Sequence, residues 1–321
     1  IECGLCHAIC PEIDELEEET RRRAGWSEPL GRVIETTVAR TTEVDILARA
    51  TDGGVVTALL LHLFDRGRID GAIVARQVGP FQRSPFLATD RQGIIDAAGF
   101  FFDTSHGMQQ FSEQYMTYSS IEEFDPMVKK GLKRVALVGT PCQIHSVRRM
   151  QAMDLVPSDA IKICLGLFCS GNFVFGETQR MQLARIGGFA WEDVRKINIK
   201  ETLMLHLASG DIKSIPLEEM YAIRRYACQF CDDYANELAD ISFGGIGAAE
   251  GWTTVLSRTP LGRASLADAK SAGIIEEFRY QENPSYATDA LAVVRKWSAQ
   301  KKKHARRVRR ELATKPVSFK M

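Results

Sequence analysis

The sequence predicts an α/β fold, in which a mixed sheet is flanked by helices and preceded by a short cysteine-rich segment. Apolar runs such as DGAIVARQ, KRVALVGT and AIKICLGLFCS have the length and composition of buried strands. Segments with a helical spacing of apolar residues, such as GGVVTALLLHLFDRG, alternate with these runs. Strands that alternate with helices are typical of α/β proteins.

The other elements follow in chain order. Asp52 is a candidate N-cap for the helix of GGVVTALLLHLFDRG, and IIDAAGFFFDTS is predicted to run from a helix into a loop. Further strands are predicted at VRKINIK, LMLHLAS, DIKSIPL, ADISFGG, TTVLSRT and IIEEFRY. Further helices are predicted from the turn after KRVALVGT to Met150, near 175–187, from Pro260 to Ala272 and from Ala290 to about Leu312.

Composition narrows the function classes. The 321 residues include 41 basic and 41 acidic side chains, so the formal net charge is zero and a general nucleic-acid binder is not indicated. The longest apolar runs are too short to span a bilayer, so no transmembrane segment is expected. Several of the eight cysteines have metal-ligand spacing, which favours a reducing cytoplasm over a disulfide framework.

The N-terminal cysteines have the spacing of an iron–sulfur motif. Cys3, Cys6 and Cys10, with Pro11, match the last three cysteines and the proline of the bacterial ferredoxin run C-x2-C-x2-C-x3-C-P. We therefore expect a truncated ferredoxin-like segment over residues 1–14, with its first cysteine and a second run lying before residue 1. A zinc knuckle or chance spacing is the alternative.

A second thiol pair, Cys228 and Cys231, needs about two more ligands to hold zinc or a cluster. Cys142 and Cys169 are the candidates because each follows an apolar strand, and sites in open α/β sheets collect beyond the carboxyl ends of strands. Cys164 lies within its strand and is predicted to be a core residue. Spacing alone does not distinguish zinc from a 4Fe-4S cluster here.

Two glycine loops are candidate cofactor sites. Asp52, Gly53 and Gly54 open a helix whose free amides could bind a phosphate. Gly244, Gly245 and Gly247 follow a strand and would let a planar ligand approach the backbone, with Trp252 nearby. Neither loop is a G-x-G-x-x-G fingerprint, so a Rossmann dinucleotide site is not indicated. Ordinary turns, and core packing for the tryptophan, are the alternatives.

Taken together, these segments resemble one family, the beta subunits of coenzyme F420 hydrogenases and dehydrogenases. The resemblance covers most of residues 39–272. The matching stretches are ARTTEVDILARATDGGVVTALLLHL, VGTPCQIHSVRRMQ, CLGLFCSGNF and CQFCDDYANELADISFGGIGAAEGWTTVLSRTPLG. The N-terminal cysteines resemble those of extended members, which feed quinone, formate or heterodisulfide enzymes.

The resemblance implies an oxidoreductase subunit that binds FAD and one 4Fe-4S cluster and exchanges a hydride with F420. Its cluster ligands would be Cys142, Cys169, Cys228 and Cys231, and the glycine loop would lie against the flavin. One or two further clusters would belong to the N-terminal region of the full protein. Partners would be F420 or another low-potential donor, and the other subunits of a hydrogenase, formate dehydrogenase, quinone or heterodisulfide reductase type complex. The expected location is the cytoplasm, either free or attached peripherally to a membrane complex.

The resemblance also suggests boundaries. Residues 15–38 would be a linker or exposed helix, 39–118 the N-terminal region of the family, 119–288 its C-terminal region with the cluster cysteines, and 289–321 a basic helix. The run KKKHARRVRR in that helix is interpreted as a solvated face or a subunit contact.

One departure leaves alternatives open. Where family members commonly have a small residue and a lysine, this chain has Ala98-Gly99-Phe100-Phe101-Phe102-Asp103. The aromatic run could pack the core, or it could change FAD binding or the identity of the donor. A related reductase that takes electrons from ferredoxin is therefore one alternative function. A flavin-less iron–sulfur relay and a zinc-binding structural module are separate alternatives.

Overall fold

The computed structural model describes residues 4–11, 13–79, 82–99, 119–173, 175–221, 223–278 and 283–313. The strands in it are β1 Glu35–Thr41, β2 Gly71–Gly79, β3 Gln82–Ala88, β4 Val135–Gly139, β5 Ile161–Leu167, β6 Val194–Ile199, β7 Thr202–Leu207, β8 Ile212–Pro216, β9 Ile241–Gly244, β10 Thr253–Ser257 and β11 Ile275–Glu277. The helices are α1 Leu5–Ala8, α2 Glu17–Ala24, α3 Val44–Arg49, α4 Val55–Asp65, α5 Arg91–Asp96, α6 Phe124–Lys129, α7 Pro141–Ala152, α8 Glu177–Gly187, α9 Leu217–Tyr221, α10 Pro260–Ser271 and α11 Tyr286–Ala313.

The main sheet has eight strands in the order β11-β1-β10-β9-β5-β4-β2-β3. Its centre is parallel, because β2 pairs with β4, β4 with β5 and β5 with β9 in that sense. The two flanks are antiparallel. The predicted mixed α/β sheet is therefore confirmed, and the parallel centre brings the carboxyl ends of β4, β5 and β9 to one edge of the sheet.

Helices cover both faces of the main sheet. On one face α4 and α10 contribute Leu59 and Leu266 to a buried cluster with Phe243 of β9. On the other face α6 and α7 contribute Met127 and Ile144 to a second cluster. Apolar residues on one face of each helix account for this burial, which is the main favourable term in folding.

A smaller sheet of β6, β7 and β8 has its own apolar core, in which Trp191, Leu203 and Ile215 are buried. Its strands pair antiparallel, as expected for three consecutive short strands joined by tight turns. This sheet contacts the predicted glycine loop that precedes α4. The side-chain amide of Asn198, near the end of β6, donates to Asp52 in that loop.

Two strands of the main sheet differ from the sequence-based interpretation. The stretch 15–38, interpreted as a linker or exposed helix, contains α2 and the first residues of β1. In addition, QRSPFLA forms β3 at the edge of the sheet. Among the described residues, no helix combines the length and the apolar character that crossing a membrane requires.

Candidate functional site

Four cysteines that are far apart in the sequence line one cavity of about 560 Å³, which we call the four-cysteine cavity. Cys142 lies in the first turn of α7, directly after β4, and Cys169 lies two residues after β5. Because β4 and β5 are parallel neighbours, their carboxyl ends present these two side chains side by side. Cys228 and Cys231 come from the turn after α9 and complete the lining.

Hydrogen bonds between the loops fix this arrangement. The Cys169 amide donates to the Tyr234 carbonyl at 2.9 Å, which ties the loop after β5 to the loop after the thiol pair. The Asn172 amide lies 3.3 Å from the Cys228 sulfur, and the Arg225 amide donates to the Asn172 carbonyl at 2.7 Å. The loop after β5 and the segment that carries the thiol pair therefore support each other at the cavity.

Burial and one lysine dominate the electrostatics of the four-cysteine cavity. Burial raises the pKa of the Cys169 thiol to about 11 and of the Cys231 thiol to about 12, although the positive charge of Lys301 acts in the opposite direction on both. Burial works against the charge of Lys301, yet the sulfurs of Cys231 and Cys169 hold the pKa of its ammonium above the ordinary value. Without a metal these thiols are neutral at pH 7, and a metal centre would stabilise their thiolates.

The four thiols of the cavity are compared with the ligand sets of a zinc ion and of a four-iron cluster. Among the residues that the structure describes, no three His, Cys, Asp or Glu side chains stand close enough together to hold a metal ion as they are placed. A zinc ion needs four ligands about 2.3 Å from the metal, so its sulfurs crowd together. In a four-iron cluster each thiolate bonds a different iron, so the sulfurs stand farther apart. Four thiols that line one cavity are a donor set that either kind of metal centre uses, and cluster binding stays a prediction.

The N-terminal cysteine segment lies against the same cavity. Cys10 and Pro11 are among the residues that line it, whereas Cys6 is exposed on α1. Cys3 lies outside the described residues, so the predicted ligand role of the N-terminal trio stays a prediction.

A buried arginine fixes that segment in place. Arg149 of α7 donates to the carbonyls of Ala8 at 3.2 Å and Cys10 at 2.7 Å, and also to the Ile13 carbonyl. Its guanidinium forms an ion pair with Glu17 at 3.0 Å. His145 of the same helix lies with its Nε2 2.7 Å from the same carboxylate. His145 therefore belongs to the contact between α7 and the N-terminal segment.

The two predicted glycine loops lie next to each other. A Cβ added at Gly245 would stand 2.5 Å from the Asp52 carboxylate, so glycine is needed for this close approach. The amide of Gly53 donates to the Thr253 hydroxyl at 2.9 Å and is therefore already bonded within the protein. Gly54 adopts a left-handed conformation, with φ +68°, at the start of α4. The two loops therefore pack against each other, and cofactor binding by them stays a prediction.

Three other predicted cofactor residues have internal packing partners. A Cβ at Gly244 would overlap the ring of Phe168, and one at Gly247 would stand 2.8 Å from the Ala290 carbonyl of α11. The Trp252 ring packs edge-on against Phe278 at 4.5 Å and lies under the Arg40 guanidinium. These contacts explain the residue types at the three positions without a ligand, and contact with a flavin stays a prediction there.

Comparison with known proteins identifies the family. The models for the N-terminal and C-terminal parts of "Coenzyme F420 hydrogenase/dehydrogenase, beta subunit" match residues 36–111 and 132–283. The chain belongs to this family. It is 31% identical to the coenzyme F420 hydrogenase subunit beta of Methanothermobacter thermautotrophicus, over 86% of this chain and 94% of that protein.

The chain also matches a longer enzyme in sequence and a solved complex in structure. The chain is 27% identical to the coenzyme F420-dependent sulfite reductase of Methanocaldococcus jannaschii, over 81% of this chain and 39% of that enzyme. Among solved structures it superposes, with a TM-score of 0.75 and 27% identity, on a chain of the F420-reducing NiFe hydrogenase complex from Methanosarcina barkeri. That match covers 89% of this chain and 94% of the other.

The structure of this family member also shows charged residues that sequence reasoning missed. Lys200, which follows β6, has its Nζ 3.5 Å from the Asp52 carboxylate, and its side chain is only 11% exposed. Burial lowers the pKa of Lys196, which lies on β6. Burial lowers the pKa of His206 on β7, and the positive charge of Lys196 acts in the same direction. No motif marks these residues, because the pairing of β6 with β7 and the fold of the small sheet bring them beside the glycine loops.

Proposed function

We propose that the chain is the F420-linked subunit of a larger redox complex, and that it carries FAD and one 4Fe-4S cluster. The single observation that supports the cluster is the four-cysteine cavity, in which Cys142, Cys169, Cys228 and Cys231 converge. The names of the relatives support F420 and the complex, since they include an F420 hydrogenase, an F420-dependent sulfite reductase and an F420-dependent formate dehydrogenase.

The four cysteines would hold the cluster as thiolates. When bound, FAD interconverts hydride and single-electron transfer, and the cluster accepts or donates electrons one at a time. The half-buried positions of Cys169 and Cys231 would limit access of water to the sulfurs, and hydrogen bonds such as the one from the Asn172 amide to the Cys228 sulfur would orient them.

For FAD we propose the surface made by the two glycine loops and the adjacent lysines. The start of α4 at Gly54 presents a helix N-terminus, which favours an anionic phosphate. Lys196 and Lys200 add positive charge at that surface, and the lack of a Cβ at Gly245 keeps the two loops close. The positive charge of the two lysines and the N-terminus of α4 thus suit the pyrophosphate group of FAD. The aromatic run Phe100–Phe102 lies outside the described residues.

A flavin-binding experiment tests the proposal. The protein, purified and reconstituted without oxygen, is expected to bind FAD, and Lys200→Met is expected to weaken FAD binding by about tenfold or more, as for loss of a charged hydrogen bond. Lys213→Met is the matched control, because Lys213 lies on β8 of the same small sheet and has no ion pair in the described part of the chain. Fluorescence titration with FAD measures both.

The donor is tested with the same preparation. Reduced F420, NADH and reduced ferredoxin are offered separately, and bleaching of the flavin is followed. We expect oxidation of reduced F420. Oxidation of ferredoxin alone would identify the alternative reductase, and iron without any bound flavin would identify the relay subunit.

A further inference from the structure

One lysine of α11 lies on the buried face of an otherwise strongly basic and exposed helix. Lys301 is 8% exposed. The other buried positions of the helix at this spacing carry small or apolar side chains, namely Ala290, Val294, Ser298 and Ala305. Burying an ammonium is strongly unfavourable unless something compensates its charge. A charge on this face therefore calls for a partner.

The direct contacts of Lys301 are with the two cysteine-bearing loops. Its Nζ donates to the Cys169 carbonyl at 2.7 Å and to the Asp233 carbonyl at 2.8 Å. No carboxylate forms an ion pair with it in the part of the chain that the structure describes. The Asp233 carboxylate instead accepts from the amides of Asn236 at 2.7 Å and Glu237 at 2.9 Å. The carbonyls satisfy the hydrogen bonds of Lys301, but they leave its charge without a formal counter-ion.

The missing counter-charge lies in the cavity. Lys301 lines the four-cysteine cavity together with the four proposed ligands. Four thiolates around a four-iron core carry a net negative charge, and this charge grows by one on reduction. A fixed positive charge in a site of low dielectric constant favours the more negative, reduced form.

We propose that Lys301 is the counter-charge of the core cluster and sets its reduction potential. This inference rests on the proposed function, since it needs a cluster in the cavity. Lys301 acts through charge at close range and is not a ligand. Its two hydrogen bonds join α11 to both ligand loops and fix the distance over which that charge acts.

The test is a redox titration of the core cluster, followed by electron paramagnetic resonance, in Lys301→Gln. Glutamine keeps a donor but removes the charge. We expect the potential to fall by at least the equivalent of a tenfold change in the reduction equilibrium, which is 59 mV for one electron. Lys301→Arg keeps the charge, so its reduction equilibrium is expected to stay within twofold of the wild type. Lys303→Met is the matched control, because Lys303 lies on the exposed face of the same helix. Its reduction equilibrium is also expected to stay within twofold of the wild type.

Each outcome is decisive. If wild-type protein assembles no cluster, the proposed function itself fails. If the cluster forms and Lys301→Gln leaves its potential unchanged, or Lys301→Arg lowers it as much as glutamine does, the counter-charge role is overturned. Should Lys301→Gln assemble no cluster, the arginine variant decides: a cluster with the wild-type potential supports the role, and failure of both variants overturns it.

Discussion

Replacing Cys231 with alanine is expected to remove the core cluster and to lower the iron bound per chain by about four. The remaining three thiols leave one corner of the cluster without a ligand in a cavity where burial disfavours free thiolates. The same loss is expected for alanine at Cys142, Cys169 or Cys228, because all four side chains line one cavity. Iron and acid-labile sulfide analysis of anaerobically purified protein, with the paramagnetic signal of the reduced cluster, measures the effect.

Cys164→Ala is the matched control for this series. Cys164 is fully buried within β5, only a few residues before Cys169, but it does not line the four-cysteine cavity. We expect its iron content to equal that of the wild type. Full iron content in Cys231→Ala would contradict the assignment, as would equal iron loss in the Cys164 variant. Zinc in place of iron in the wild type would instead establish the structural-module alternative.

Replacing Arg258 with methionine is expected to lower the free energy of unfolding by about 3 kcal/mol or more. Arg258 is 1% exposed and donates to the carbonyls of Leu30 at 2.8 Å and Ala235 at 2.9 Å, as well as to the Ser242 hydroxyl. Burial lowers the pKa of its guanidinium to about 10, so it remains charged at neutral pH. Methionine would leave these buried oxygens without a donor. Urea unfolding followed by circular dichroism measures the change.

Arg263→Met supplies the control for that measurement, because Arg263 is an exposed residue of α10. Its substitution is expected to change the free energy of unfolding by less than about 0.5 kcal/mol. Equal stability of the two variants would show that the buried hydrogen bonds of Arg258 do not tie the segment before β1 to the core.

Cys142 and Cys169 show why the cavity could be predicted from sequence. Each follows a strand that is apolar apart from Lys162 in β5, and parallel strands in one sheet end at one edge. The meeting with Cys228 and Cys231, which lie in the turn after α9, depends instead on packing between loops, and the structure places all four at one cavity. Cluster binding itself stays a prediction.

The two strands that the sequence did not reveal have weak signals for physical reasons. In β1 the threonines at 37 and 41 are buried with hydrogen-bonded hydroxyls, so a polar-looking segment lies inside the sheet. In β3, Pro85 argues against a strand, but β3 is an edge strand, where the missing amide hydrogen is tolerated.

The charged residues of the candidate site could not be predicted, because their burial depends on tertiary packing. Lys301 is one of three consecutive lysines, and only the rotation of α11 against the sheet decides which of them faces the cysteines. Likewise, Lys200 reaches Asp52 because the small sheet packs beside the loop before α4. Periodicity predicted the helix and the strands, but not these long-range contacts.

The central claim is that Cys142, Cys169, Cys228 and Cys231 together bind one iron–sulfur cluster. Crystals of the anaerobically purified protein, measured at the iron absorption edge, test it most directly. We expect one compact anomalous peak within the four-cysteine cavity, in bonding contact with all four sulfurs. Well-ordered cysteines with no anomalous iron signal between them, in crystals whose protein retains its iron, would contradict the claim.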